Sequence, residues 1–116
     1  LHGDLHLGNL IGGWTSPAVI DWGGAARGDP LADVGQTALL HRLGVPPGGA
    51  PALVRALVPL GRRLLRGRYL ATYRRLRGLD HGVLARWELV QAAGRLSAGI
   101  DDEEPALLAL LDEGLR

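Results

Sequence analysis

With 116 residues, 47% of them apolar and 22% charged, and a net charge of +1, the chain is long enough for one small globular domain and too apolar for global disorder. Every basic residue is Arg, within an Arg, Gly, Ala and Leu bias that reads as a GC-rich coding sequence, and the absence of Cys excludes disulfide frameworks and thiolate metal sites. No apolar run approaches the roughly 20 residues of a membrane helix and no signal-peptide pattern opens the chain, so a soluble, cytoplasmic protein with no membrane partner is expected.

Residues 1 to 30 differ in kind from the rest. They are rich in Gly, with His, Asp, Asn and two Trp, and carry only short apolar runs. Leu10-Ile11 and Ala18-Val19-Ile20 have strand character, and Gly12 to Pro17 between them reads as a turn, which predicts a small hairpin with polar loops at both ends. Leu1, not Met, precedes this dense motif, so further sequence is expected upstream and the chain reads as a fragment.

At Asp29-Pro30 the pattern turns helical. The carboxylate can cap free amides and Pro suits the first helical position. Leu31, Val34, Ala38 and Leu39 keep helical spacing, Gly44 suggests the stop, and residues 44 to 51 read as a loop. A long helix is predicted from about Ala52 to Leu76, bent or split at Pro59, with Val58, Leu65, Tyr69 and Leu76 on one face. The next, about Gly82 to Ala98, has apolar residues on more than one side (Val83, Trp87 and Val90, then Leu89, Ala93 and Leu96), as in a helix sandwiched between neighbours. The last runs from about Glu103 to Leu115. The fold class expected is α+β, mostly α: a hairpin and loops on a body of four or five helices.

Three polar residues carry the chemistry. Asp4 lies in His2-Gly3-Asp4, Asn9 follows five positions later, and Asp21 follows the run Ala18-Val19-Ile20. Phosphoryl transfer needs a carboxylate to orient the attacking hydroxyl and accept its proton, and oxygen ligands for magnesium. A carboxylate and an amide on one tight loop, facing a second carboxylate on a hairpin, supply those parts, and hard oxygen ligands suit magnesium better than zinc.

HGDLHLGNL, residues 2–10, resembles the catalytic loop of the aminoglycoside phosphotransferase and choline kinase family, relatives of the protein kinases. VIDWGGAARGDPLADVG, residues 19–35, resembles the metal-binding segment and following helix of the same family. The resemblance implies the C-terminal catalytic lobe of a protein-kinase-like fold, with residues 1–28 as catalytic and metal-binding loops and residues 29–116 as the helical body of a single partial domain. It implies an ATP- and Mg2+-dependent kinase that phosphorylates a hydroxyl of a small molecule. Asp4 would be the catalytic base, Asn9 and Asp21 the magnesium and nucleotide ligands, and His2 a buttress of the loop. His6 recurs in the motif, Trp22-Gly23 follow Asp21 as in the kinase triplet, and Asp29 and Asp33 would hold the loop-to-helix junction. A weaker likeness over residues 69 to 100 extends the match to the helical tail.

Leu7 stands where many members have Pro, a mild change in loop stiffness. The family's smaller, nucleotide-covering lobe has no counterpart here, and no Lys exists to meet the phosphates. That lobe is expected elsewhere in the same polypeptide, and the isolated chain is expected to be inactive alone. The rival readings are a non-catalytic remnant or binding module of the same scaffold, and an Arg-mediated nucleic-acid binder.

Other features have blander readings. Singly, Asp4, Asn9 and Asp21 could be turn residues. His2 and His6, four apart, could chelate zinc on a helix, but Gly3 and Gly8 argue for a loop. Trp14 and Trp22 could stack on a base or substrate; packing is preferred for Trp22. No acid occurs from Val34 to Leu79, whereas Arg55, Arg62, Arg63, Arg66, Arg68, Arg74, Arg75 and Arg77 do. They form no narrow stripe, so a solvated helix surface is preferred to a nucleic-acid site. Asp101-Asp102-Glu103-Glu104 is read as helix capping, with contact to a polycationic substrate as the alternative.

Overall fold

The computed structural model describes residues 1–43 and 49–116. The element order is β1 (Leu10–Gly13), β2 (Ser16–Val19), α1 (Pro30–Leu43), α2 (Ala52–Arg77), α3 (His81–Leu96) and α4 (Glu104–Gly114), with short 3-10 turns at Leu7–Asn9 and Trp22–Gly24. The chain is therefore α+β and mostly helical, with a small two-stranded antiparallel sheet. Among the described residues no helix is long and apolar enough to cross a membrane.

The strands pair Leu10 with Val19, Ile11 with Ala18, Gly12 with Pro17 and Gly13 with Ser16. The turn is thus only Trp14-Thr15, shorter than the Gly12 to Pro17 segment expected. Gly12 lies at φ +98°, and a Cβ there would sit 2.7 Å from the Ser16 carbonyl oxygen, so only glycine lets the strands close at this point. Pro17 is accommodated because a two-stranded ribbon consists of edges, where a missing N–H is tolerated.

α1 is the centre of the body. Ala32, Val34, Ala38, Leu39 and Leu43 are all buried, and the helix packs on both α2 and α3. Small residues make this possible: a Cβ on Gly35 would lie 3.0 Å from the Trp87 Cβ of α3. Leu39 and Leu43 join Ala92 and Leu107 in the apolar core, with Leu96, Leu110 and Leu111 packed against it. The helix is described to Leu43; the stop expected at Gly44 and most of the expected 44–51 loop lie outside the described residues.

α2 differs from its expectation in two ways. It runs unbroken through Pro59 from Ala52 to Arg77. Its inward row is Val58, Arg62, Arg66, Tyr69 and Tyr73, all half-buried, whereas Leu65 and Leu76 are exposed. Arg62 donates from Nη1 to the Leu40 carbonyl at 3.2 Å, and Arg66 donates to Glu88. These two arginines pin α2 to the body, so they depart from the solvated surface expected of the whole stretch. The guanidinium heads find polar partners while the aliphatic stems cover apolar surface.

α3 starts on Asp80, whose Oδ1 accepts from the Gly82 and Val83 amides at 2.8 and 3.0 Å. Those bonds hold its carboxyl below the ordinary carboxylate range. α3 contacts α1 on one side and α4 on the other, the sandwich expected of it. Its buried row, however, is Leu84, Glu88 and Ala92, and Val90 is exposed. Glu88 is only 5% exposed and is paired with both Arg42 of α1 and Arg66 of α2. One buried carboxylate thereby ties three helices together through two partly exposed arginines. Of the acids at the start of α4, Glu104 lies in the first turn as expected, whereas Glu103 makes no side-chain cap bond and instead engages Arg95.

Candidate active site

The loop before β1 owes its path to Gly3 and His2. Gly3 lies at φ +83°, and a Cβ there would come within 2.5 Å of the Gly24 carbonyl oxygen, so the two backbones touch where a side chain would separate them. His2 is 3% exposed. Its Nδ1 accepts from the Asp4 amide at 3.2 Å, which leaves Nε2 as the protonated nitrogen, donating to the Ile20 carbonyl at 2.9 Å. The ring packs on Trp22, with centroids 4.7 Å apart. With both nitrogens engaged, His2 has no lone pair for a metal, and the zinc alternative for His2 and His6 falls with it. Asp33, in the first turn of α1, accepts from the His2 and Gly3 amides at 2.5 and 2.8 Å and so ties the loop to the helix.

Asp4 projects from this loop, half-buried. Its Oδ1 accepts from the Gln36 amide at 3.2 Å, and its Oδ2 lies 3.6 Å from His6 Nε2. His6 Nδ1 accepts from the Gly8 amide at 3.0 Å, capping the Leu7–Asn9 turn. Asn9 is buried, and its Nδ2 donates to the Asp4 carbonyl at 2.9 Å. Its own carbonyl accepts from the Ile20 amide at 3.0 Å, which joins the loop to the strand end that leads into Asp21. The fold thus brings Asp4, Asn9 and the backbone entering Asp21 into one neighbourhood.

Asp21 is the only non-glycine residue with positive φ among the described residues, at φ 63° and ψ 61°. This left-handed conformation is one that Asp and Asn tolerate better than most side chains. Its carboxylate is exposed and makes no cap bond to the turn that follows. Gly23 lies in that turn, where a Cβ would meet only Asp21 Oδ1, at 3.6 Å. Asp29 accepts from the Leu31 amide at 2.9 Å and from Trp87 Nε1 at 3.0 Å; those bonds, the backbone one first, hold it below the ordinary carboxylate range. Trp22 donates from Nε1 to the Val19 carbonyl at 3.0 Å and packs one side on His2, yet it remains 56% exposed, so the packing expected of it is partial, and Trp14 stands fully exposed at the hairpin tip.

Asp4 and His6 open onto a cleft of about 690 Å³ whose other charged walls are Arg62, Arg95, Asp102 and Glu103, with His41 between. Arg95 donates from Nη2 to Glu103 Oε1 at 2.9 Å and from Nε to the other carboxylate oxygen. The pairing raises the Arg95 pKa, and the field of Asp4 adds to it. His41 is shifted the other way, below 6.5, by burial first and then by the charges of Arg62 and Arg66.

Gln36 and Thr37 escaped the sequence reading. Thr37 Oγ1 donates to the Leu5 carbonyl at 2.7 Å, so Asp33, Gln36 and Thr37 all reach the loop from one helix face. The signal was present: two polar residues three and four positions after Asp33 share its face, inside an otherwise apolar stretch.

Asn9 Oδ1, with no hydrogen-bond partner among the described residues, and the Asp21 carboxylate are hard oxygen donors that fit a divalent cation. No group of three or more His, Cys, Asp or Glu that could hold a metal ion occurs among the described residues. Magnesium does not require one, since it is usually held by one or two protein ligands together with phosphates and water.

Comparison with known proteins bears on the loop and the first two helices. No curated protein and no solved structure matches the chain. A family model, that of the phosphotransferase enzyme family, matches residues 1–79, which spans the loops, the hairpin, α1 and α2. Of the helical likeness read over residues 69 to 100, the match takes in residues 69–79. Since it covers more than half of the sequence, the chain belongs to the phosphotransferase enzyme family.

Proposed function

We propose that this chain is the catalytic lobe of a protein-kinase-like phosphotransferase that moves the ATP γ-phosphoryl group to a hydroxyl of a small molecule. The observation that supports it most is the tethering of Asp4. Its amide is held by His2, its carbonyl by Asn9 and its carboxylate by Gln36, so the group is oriented before any substrate arrives. Preorganisation of this kind is what phosphoryl transfer asks of a protein, because positioning and electrostatics supply nearly all of the catalysis.

In this reading Asp4 accepts a hydrogen bond from the acceptor hydroxyl, aims its oxygen and takes its proton as the bond to phosphorus forms. Asn9 Oδ1 and the Asp21 carboxylate hold magnesium. Bound Mg2+-ATP supplies the phosphoryl group and the positive charge that offsets its oxygens. Asp33 and His2 keep the loop in place and touch no reactant. The adenine and a cationic partner for the phosphates are met by sequence outside these 116 residues, and the chain alone binds ATP weakly.

Replacement of Asp21 by Ala in the full-length product tests the assignment. Magnesium-dependent phosphorylation of a hydroxyl acceptor should disappear while the unfolding midpoint stays near that of the parent. Retention of parental turnover by this variant would remove Asp21 from the metal site and the reading with it.

A further inference from the structure

The cleft beside Asp4 carries a charge that the phosphotransferase reading leaves unused. Arg62 is half-buried on the inward face of α2, and its only hydrogen bond among the described residues is from Nη1 to a neutral carbonyl. Arg42, Arg66, Arg95 and Arg116 all have carboxylate partners. Arg62 has none among the described residues, and residues 44–48 contain no acid that could serve. On the opposite wall Glu103 is paired with Arg95, and Asp102 lies beside it. At the Arg62 end the cleft is lined by Leu40 and His41, neither of which supplies an anion. A guanidinium with free N–H groups, facing an open cavity and lacking a protein anion, is suited to fork onto a carboxylate or phosphate.

We infer that the acceptor is a small hydroxylated anion, a hydroxy acid or a phosphate monoester, whose negative group docks on Arg62 while its hydroxyl lies toward Asp4. This rests on the phosphotransferase reading for the role of Asp4, but the anion contact stands on Arg62 alone.

Binding to the chain without nucleotide or metal tests this separately from phosphoryl transfer. The probes are D-glycerate, glycerol 3-phosphate, glycerol and spermidine, followed through the Arg62 Nε–H resonance and by calorimetry. Glycerate or glycerol 3-phosphate should shift that resonance, and the stronger of the two identifies the anion as carboxylate or phosphate. Glycerol should bind at least roughly tenfold more weakly, the loss expected when a charge-assisted hydrogen bond is absent. Arg62→Gln, which keeps a donor for the Leu40 carbonyl, should abolish the difference between glycerate and glycerol. If that variant does not fold, Arg62→Lys serves, with a weaker preference for the anion because the planar fork is lost. Tighter binding of spermidine than of either anion, equal binding of glycerol and the anions, or an unchanged anion preference in the folded Arg62→Gln protein would each overturn the inference. Anion binding by a full-length protein that shows no phosphoryl transfer would instead overturn the phosphotransferase reading and leave the anion site standing.

Discussion

In residues 1 to 28 the buried side chains are His2 and Asn9, both polar, whereas α1 alone buries Ala32, Val34, Ala38, Leu39 and Leu43. The loops therefore cannot be held by apolar burial. They are held by directed bonds: Asp33, Gln36 and Thr37 of α1 reach into them, and Gly3 lets two backbone segments touch. The body is held by area and volume, with Leu39 and Leu107 completely enclosed, and by one buried carboxylate shared between two arginines. Directed bonds fix angles and apolar packing fixes stability. A region that aims a carboxylate uses the first, and the scaffold beneath it uses the second.

The largest effect expected from this contrast is on turnover alone. Asp4→Asn in the full-length protein should lower kcat/KM by about 10²- to 10⁴-fold, the usual contribution of a positioned general base. Its unfolding free energy should move by no more than about 0.5 kcal/mol, as for ordinary exposed sites. A collapse of stability in that variant would mean that the loops support the body, and the contrast would fail. Glu88→Ala should do the opposite. It leaves Arg42 and Arg66, both partly exposed, without their shared anion and should cost about 1–3 kcal/mol in urea unfolding, because α1, α2 and α3 all lose a shared anchor. A cost within experimental error would show that solvent replaces the carboxylate freely. Leu39→Ala should cost about 2 to 5 kcal/mol by the same measurement, with the His2 and Asp4 amide resonances unmoved, since none of the loop's bonds runs through Leu39.

The smallest effect is on pH. His41 is held below its ordinary value of 6.5, so as pH falls below about 6.5 the unfolded chain takes up a proton before the folded one does. Stability present at neutral pH should then decline as pH falls toward the folded-state value. Asp29 and Asp80 are also depressed from 3.8, and their contribution should persist to about pH 4 and be lost only below it. Thermal unfolding from pH 8 to pH 3 should show two declines in that order, and His41→Asn should remove the first. A single decline below pH 4 in the parent would show that His41 is not desolvated by the body.

Much of this architecture was readable from neighbouring residues. Asp29-Pro30 marked the start of α1, the two apolar pairs marked the hairpin, and the Asp4, Asn9 and Asp21 spacing marked the loops that the fold brings together. Such signals act within a few residues: a carboxylate caps neighbouring free amides, a left-handed turn favours glycine, and a Pro fits a first turn. What lay beyond reach was which face of each helix meets another. On α2 apolar and arginine residues occur on every side, so periodicity could not say that Arg62 and Arg66 turn inward and Leu65 and Leu76 outward. Nothing beside Glu88 in the chain signals its burial; α1 and α2 bring Arg42 and Arg66 to it. Glu103 looked like a cap until Arg95 took its carboxylate. The sequence by itself determined where the helices begin and which polar residues share a loop, because those preferences are local backbone energetics. Only the tertiary structure decided which charges are neutralised and which one, Arg62, is left facing the cleft, because pairing depends on distances between residues far apart in the chain.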